Sequence, residues 1–200
     1  MAKGRERILD AADELFGELG FDATATRQIA ELCGVNKALI HYHFDTKERL
    51  FHAVLERYYG RLEQVLVPLA AGEGPVPERM AGLVDGYVDF LRDNHRFSRM
   101  LQREIASGRH VEQIVAHMVP AFGVGVATVE AAFPATRGGD LAAPHLLVSF
   151  FGMVVTWFAY APVVRGLLGV DPLAPEQLEA HKRHLLRMLD LVVDALDEDE

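Results

Sequence analysis

Two short helical segments, separated by only three residues, most constrain how this chain can fold. Residues 26–33 (TRQIAELC) and 37–44 (KALIHYHF) each place apolar residues three or four positions apart, which is the spacing of an amphipathic helix. The intervening Gly34-Val35-Asn36 leaves room only for a sharp turn, which Gly34 permits because glycine adopts positive φ readily. Ala30 is small, which lets the two helices approach closely where they cross.

A longer amphipathic helix precedes this pair. Residues 5–19 place apolar side chains at helical spacing, and Gly20 follows where a left-handed residue commonly ends a helix. Thr24 or Thr26 is the predicted N-cap of the second helix. Three helices of about 15, 8 and 8 residues have the spacing of a helix-turn-helix domain.

The third helix is predicted to present one face outward. The side chains spaced to point inward are Ile29, Val35, Ile40 and Phe44, and those left outside are Lys37, Ala38, His41 and Tyr42. A helix of this kind can enter the major groove of B-DNA, where exposed side chains reach base edges and phosphates. A three-helix core that contacts no DNA has the same spacing, so the spacing alone leaves both interpretations open.

The rest of the chain is also predicted to be helical, and the fold class to be all-α, because no stretch shows the alternation of a strand. A helix of about 46–69, begun by Asp45-Thr46, is expected to connect the helix-turn-helix domain, residues 1–50, to a second helical domain, residues 70–200. Residues 70–77 (AAGEGPVP) are the clearest linker. In the second domain, residues 111–133 are expected to form a helix that is interrupted and kinked around Pro120.

One uncharged stretch raises the question of a membrane. The 24 residues from Leu141 to Val164 carry no formal charge, which is long enough to span a bilayer. Pro144, His145 and Pro162 speak against a span, and no second stretch of this kind occurs. We therefore expect no membrane partner, but a helix that ends near Pro162 and lies in a protein core or a subunit interface.

Composition excludes several function classes. The net charge of −9 excludes a surface that is basic throughout, and residues 1–57 hold eight Lys and Arg against ten Asp and Glu. A DNA-binding face must therefore arise by segregation of the cations. The single cysteine, Cys33, excludes an intramolecular disulfide and agrees with a cytoplasmic location.

No catalytic or cofactor-binding motif occurs, so we expect neither an enzyme nor a cofactor. His181 and His184 have the i, i+3 spacing that can hold a metal. A solvated or interface-facing pair has the same spacing, and no metal site is predicted.

A family resemblance adds to these observations. The stretch TATRQIAELCGVNKALIHYHFDTKERLF closely resembles the DNA-binding domain of the tetracycline-repressor-like (TetR) transcription regulators, and the likeness covers about residues 5–55. The matching residues are Ile29-Ala30, Gly34-Val35, Lys37, Tyr42-His43-Phe44, Thr46-Lys47-Glu48 and Leu50-Phe51.

The resemblance implies an all-helical homodimer that binds a palindromic or near-palindromic double-stranded DNA operator. Its C-terminal domain would bind a small-molecule effector of unknown identity and supply the dimer interface. Such a protein is most often a repressor, released when the effector favours a state with wrongly spaced recognition helices. An activator, or a regulator without a small-molecule inducer, is the alternative, and a helical lipid-binding protein or enzyme is a further one.

The resemblance also implies the DNA contacts, which are Arg27, Lys37, Ala38, Leu39, His41, Tyr42, His43 and Lys47. Arg27 and Lys47 occupy positions that meet phosphate. His41 stands where the family usually has tyrosine, and Leu39 where a small or polar residue is common. Leu39 can contact a thymine methyl group or face the first helix, and the sequence does not decide between the two.

The second domain holds more aromatic residues than a thin helical layer needs, although core packing explains most of them. A pocket in the second domain is expected to be mainly apolar and to suit a hydrophobic or aromatic small molecule. Its candidate lining residues are Phe97, Met100, Leu101, His117, Phe122, Ser149, Met153, Thr156, Trp157 and Tyr160.

Overall fold

The computed structural model describes residues 2–198 of the chain, and side chains from residue 3 to residue 197. The described residues form ten α-helices and no β-strand, which confirms the all-α prediction. The helices are α1 (Ala2–Leu19), α2 (Thr26–Cys33), α3 (Lys37–Phe44), α4 (Lys47–Ala71), α5 (Val76–Asp93), α6 (His95–Ser107), α7 (Val111–Ala132), α8 (Ala143–Ala159), α9 (Ala161–Leu168) and α10 (Pro175–Glu198), with a 3-10 turn at Pro134–Arg137.

The helices group into two compact units. The first unit contains the residues up to Arg61 together with His95–Gln113, and so holds α1 to α3, most of α4, and α6. The second unit contains Leu62–Asn94 together with the residues from Ile114 onward. The chain thus leaves the first unit along α4 and returns to it in α6. The functional division of the chain near residue 70 stays a prediction.

Aromatic side chains form the core of the first unit. Phe16 and Phe51 are fully buried, and their ring centroids lie 5.1 Å apart with the planes nearly perpendicular. Phe21 lies 5.3 Å from Phe51 and 5.9 Å from Phe16. Phe16 lies on α1, Phe51 on α4 and Phe21 in the turn after α1. The aromatic cluster therefore holds α1 and α4 together beside α2 and α3.

The turn between α1 and α2 corrects one detail of the sequence analysis. Ala25, and neither Thr24 nor Thr26, is the N-cap residue of α2. The buried hydroxyl of Thr24 donates to the carbonyl oxygens of Gly20 at 2.7 Å and Leu15 at 3.1 Å, so it closes the end of α1 instead. The threonine cap was wrong because a hydroxyl that binds the preceding helix is not available to the next one.

The second unit has an apolar core and a buried ion-pair cluster. The core residues are Val129, Phe133, Ala143, Leu146 and Leu196. Lys182 of α10 is buried, and its ammonium lies 2.9 Å from Asp85 and 2.8 Å from Asp89 of α5. Because a buried ammonium is costly unless it is paired, these two carboxylates hold α10 against α5.

In the second unit, the predicted interruption of the helix over residues 111–133 is wrong, and so is the prediction of a single helix over the uncharged stretch. α7 runs without interruption through Pro120, an exposed residue, so water can satisfy the carbonyl that lacks a helical donor. The uncharged stretch forms two helices, α8 and α9, which meet at an angle of 80° beside Tyr160. Pro162 lies in the first turn of α9, where its missing N–H costs nothing.

Length and hydropathy alone would allow one described helix, α7, to cross a membrane, or two spans if α8 and α9 are taken together. Only 11% of the apolar window in α7 is buried in the structure. The 80° bend means that α8 and α9 do not form one straight span.

Candidate nucleic-acid interface

A left-handed glycine makes the turn between α2 and α3. Gly34 has φ of 63° and ψ of 40°, and the N–H of Val35 donates to the carbonyl of Ala30 at 3.0 Å. The side chain of Asn36 then accepts a hydrogen bond of 2.9 Å from the N–H of Ala38 and begins α3. Both helices have the bounds that the sequence predicts, because their end signals are local.

α3 buries one face and exposes the other. Ile40 and Phe44 are buried, whereas Lys37, Ala38 and His41 are exposed and Tyr42 is 73% exposed. His43 is half-buried, with its ring 5.2 Å from that of Tyr42. The exposed face is a short helical surface that combines one cation, one imidazole and one phenol, which are groups that reach base edges and phosphates.

The side chain of Leu39 lies beside Gly4 of α1. The side chain is half-buried, and its Cδ2 atom lies 3.5 Å from the position that a Cβ on Gly4 would occupy. Of the two roles that the sequence left open, this placement favours packing against the first helix over contact with a thymine methyl group.

The cations around α3 differ in how far they are engaged. Arg27 pairs with Glu31 at 2.7 Å, and both side chains are exposed, so the pair is weak and a phosphate can replace the carboxylate. Arg7 donates to the carbonyl of Cys33, and the guanidinium of Arg5 lies 5.2 Å from the ring centroid of Phe44. Lys37 makes no ion pair with any residue that the structure describes.

Lys47 is engaged within the protein. Its ammonium donates to the carbonyl oxygens of Phe21 at 3.0 Å and Thr24 at 3.1 Å, and lies 4.2 Å from the ring centroid of Phe21. Lys47 thus joins the start of α4 to the α1–α2 turn. In the first turn of α4, the side chain of Thr46 accepts a hydrogen bond of 3.1 Å from the N–H of Arg49 and caps the helix.

Comparison with known proteins agrees with this geometry. The family model described as bacterial regulatory proteins, tetR family, matches residues 8–54. The HTH-type transcriptional repressor Rv3405c of Mycobacterium tuberculosis is 32% identical over 182 residues, which cover 89% of this chain and 86% of that protein. The chain belongs to the TetR family.

Further similarities lie within the same family. The HTH-type transcriptional repressor NicS of Pseudomonas putida is 36% identical over 88 residues, which cover 42% of each chain. A solved tetR-family bacterial regulatory protein from Rhodococcus RHA1 has a TM-score of 0.74 at 22% identity, and the match covers 94% of this chain and 98% of that one. TetR-family regulators bind DNA operators and usually act as dimers, and the protein is a transcriptional regulator of this family.

In this TetR-family chain, the predicted effector residues are divided between the two units. Phe97 is buried in the first unit, with its ring centroid 5.0 Å from Tyr58 and 5.5 Å from Tyr59. Met100 and Leu101, on the same helix α6, are buried in that unit as well. These three residues have the surroundings of a packed core.

The other predicted effector residues belong to the second unit and are dispersed there. Trp157 stacks on His181 with 4.0 Å between centroids, and its indole N–H donates to the carbonyl of Pro172 at 3.0 Å. Phe122 makes an edge contact with Phe151 at 5.3 Å. His117 and Met153 are half-buried, and Ser149, Thr156 and Tyr160 are exposed.

The second unit has a shallow open groove at another place. It is lined by Val76, Arg79, Val124, Ala127, Thr128, Ala131 and Ala132, none of which the sequence analysis selected. No group of three or more His, Cys, Asp or Glu side chains among residues 3–197 is arranged to hold a metal ion.

Two positioning residues were missed by the sequence analysis. Asn36 caps α3 with its side chain, and this could have been found because asparagine just before a helical segment is a common N-cap. Arg7 ties α1 to the end of α2 through the carbonyl of Cys33. Nothing local marks that contact, because its partners lie 26 positions apart.

We expect Lys47→Ala to reduce the free energy of unfolding by about 1–3 kcal/mol, because it removes two charge-assisted hydrogen bonds. Operator binding should weaken with little change in its salt dependence, since the ammonium already donates to the carbonyl oxygens of Phe21 and Thr24 instead of to a phosphate. Urea unfolding and binding titrations at several salt concentrations measure both. A decrease of about one in the salt slope, with unchanged stability, would instead assign Lys47 to a phosphate.

Proposed function

We propose that the protein is a cytoplasmic repressor that binds a palindromic or near-palindromic operator as a homodimer and is released by a hydrophobic or aromatic small molecule. It has no enzymatic activity in this proposal. The exposed face of α3, with Lys37, His41 and Tyr42 directed away from the core, is the observation that carries the DNA-binding part. Two relatives are named as transcriptional repressors, which supports repression over activation.

The homodimer is supported by the surface of α8. Val148 of α8 and Tyr160, the residue that follows its last turn, are each 60% exposed, and His145, Ser149 and Thr156 of α8 are exposed as well. These residues recur at helical spacing along a helix without Asp, Glu, Lys or Arg. A stripe of this kind suits a helix–helix contact with a second copy, in which two recognition helices would meet successive turns of the major groove.

An apolar effector agrees with the composition of the second unit. Phe122, Phe151 and Tyr87 form a chain of ring contacts, with 5.3 Å and 6.1 Å between successive centroids. Aromatic rings that are half-buried provide the kind of surface that an aromatic or aliphatic molecule covers. We therefore place the effector next to these rings of α5, α7 and α8.

Selection of bound DNA from a random pool tests the proposal. The expected product is a sequence with inverted half-sites whose centres lie about 10–10.5 base pairs apart, or a multiple of that spacing. A reporter under this sequence should be silenced by the protein and restored by an apolar effector. An enriched sequence without inverted symmetry would contradict the dimeric mode, and increased expression of the reporter would make the protein an activator.

Lys37 is expected to contribute to both affinity and specificity. Lys37→Ala should reduce the salt slope of operator binding by about one, since one phosphate contact releases about one counterion. It should also relax the preference at one or two base pairs, because Lys37 opens the recognition helix. Binding titrations on the selected operator and on single-base variants measure both effects. A variant with unchanged slope and specificity would remove Lys37 from the interface.

A further inference from the structure

The segment between α6 and α7 contacts the helix-turn-helix core through a histidine. His110 has φ of 51°, and its ring lies 4.7 Å from Phe21, 4.9 Å from Phe51 and 5.2 Å from His52, measured between centroids. All of these residues lie in the first unit. The ring of His110 therefore rests on the same aromatic cluster that fixes α1 and α4.

A buried carboxylate orients His110. Its Nδ1 atom lies 2.7 Å from Oε2 of Glu104, and the two side chains are only 10% and 6% exposed. Beside this pair, Arg109 makes two hydrogen bonds to the carboxylate of Asp22. Because Asp22 lies in the α1–α2 turn, the segment 108–110 is attached to that turn by an ion pair and a ring contact.

The same turn also holds the start of α4. Lys47 donates to the carbonyl oxygens of Phe21 and Thr24, on either side of Asp22 in the chain. The α1–α2 turn thus joins the segment 108–110 to α4, the helix that follows α3. If the segment 108–110 moves, the hydrogen bonds of Asp22 and Lys47 connect that movement to the helices of the DNA-binding domain.

His52 is the group in this cluster that tolerates a proton least. Its Nε2 atom is closed off from solvent and has no hydrogen-bond partner among the residues that the structure describes. An imidazolium carries an N–H on both nitrogens, so protonation leaves a buried N–H without an acceptor. The ring also faces His110 at 5.2 Å.

Charged side chains lie around His52 on α4 itself and on the elements that pack against it. Burial and the neighbouring His110 lower the pKa of His52, in that order, and Glu48 and Glu56 of α4 raise it in part. Glu104 of α6 faces His110, and the pair of Asp22 and Arg109 closes the side of the α1–α2 turn. The opposing carboxylates do not cancel the effect of burial, so the neutral form is favoured.

We propose that His52 and His110 form a proton-sensitive latch, in which protonation of His52 releases the segment 108–110 from α4 and the α1–α2 turn and thereby weakens operator binding. The effect on the operator rests on the proposed function, whereas the release itself does not. No ligand takes part, and the protein responds to acid directly.

The direction of the pH dependence follows from linkage. In the released form, His52 is hydrated and titrates near the ordinary value of about 6.5, while the docked form binds fewer protons because its pKa is lowered. The segment 108–110 is therefore held against α4 and the α1–α2 turn above about pH 6.5, and it is released as the pH falls below that value. One pH unit below that value, a single histidine shifts the docking equilibrium by at most about tenfold.

Hydrogen exchange of the free, full-length protein tests the release. After correction for intrinsic exchange, peptides that cover residues 105–113 should lose up to about tenfold protection between about pH 7.5 and about pH 5.5. His52→Asn, which cannot become charged, should remove this pH dependence. The matched control His41→Asn, at an exposed histidine outside the cluster, should keep it. His52→Gln serves if the asparagine variant does not fold.

The outcomes separate the latch from the proposed function. Equal protection at both pH values in the wild type, or an undiminished loss in both His52 variants, would overturn the latch. A loss of operator affinity at low pH that His52→Asn abolishes would support both parts. If selection from a random pool enriches no DNA sequence at any pH, the proposed function is contradicted. The exchange data would still show whether the segment 108–110 is released.

Discussion

Thr156→Arg is expected to convert the protein to a monomer and to weaken operator binding by about a hundredfold or more, because two linked half-site contacts are replaced by one. Thr156 is an exposed residue of α8, in the stripe that includes Val148, Ser149 and Tyr160. In a helix–helix interface, the guanidinium would be buried without a counter-charge, which costs several kcal/mol.

Sedimentation and operator titrations measure this effect, and circular dichroism checks that the variant stays folded. Thr156→Val is the matched control, since it preserves the shape of the side chain without adding charge, and it should remain dimeric. A Thr156→Arg variant that sediments as a dimer and binds the operator normally would show that the interface lies elsewhere.

Phe97→Ala is expected to reduce the free energy of unfolding by about 3–5 kcal/mol, the range for removing a fully buried phenylalanine. Phe97 is one of the residues predicted to contact the effector, and it is buried beside Tyr58 and Tyr59 of α4. Removing the ring leaves a cavity between α4 and α6 and two tyrosine rings without their neighbour.

Urea unfolding measures this change. Phe122→Ala is the matched control, because Phe122 is only half-buried and its main ring contact is Phe151, so its loss should cost less than half as much. Normal stability of Phe97→Ala, combined with a lost response to an apolar effector, would return Phe97 to the effector site.

The parts of the fold that are predictable from sequence have local signals. α2 and α3 have the predicted bounds because Gly34 ends one helix and Asn36 begins the next within three residues. The outward face of α3 follows from the spacing of Ile40 and Phe44, which needs no knowledge of the partner helices.

The parts that could not be predicted depend on contacts between distant residues. Lys47 reaches carbonyl oxygens 23 and 26 positions away, and its sequence context gives no sign that the ammonium is already engaged. Phe97 follows the predicted domain boundary near residue 70, and nothing in its sequence context shows that α6 packs in the first unit. The histidine latch joins residues from α4 and from the segment before α7, and neither histidine stands in a motif.

The central claim, that α3 enters the major groove in each half-site, is tested most directly by site-directed DNA cleavage. Ala38→Cys places a thiol on the exposed face of α3, where an iron chelate that cleaves DNA can be attached. The wild type is the control, because its single cysteine, Cys33, is buried. The expected result is two clusters of cleavage in the major groove, about 10–10.5 base pairs apart or a multiple of that spacing. Cleavage confined to the minor groove, or a single cluster, would contradict the account.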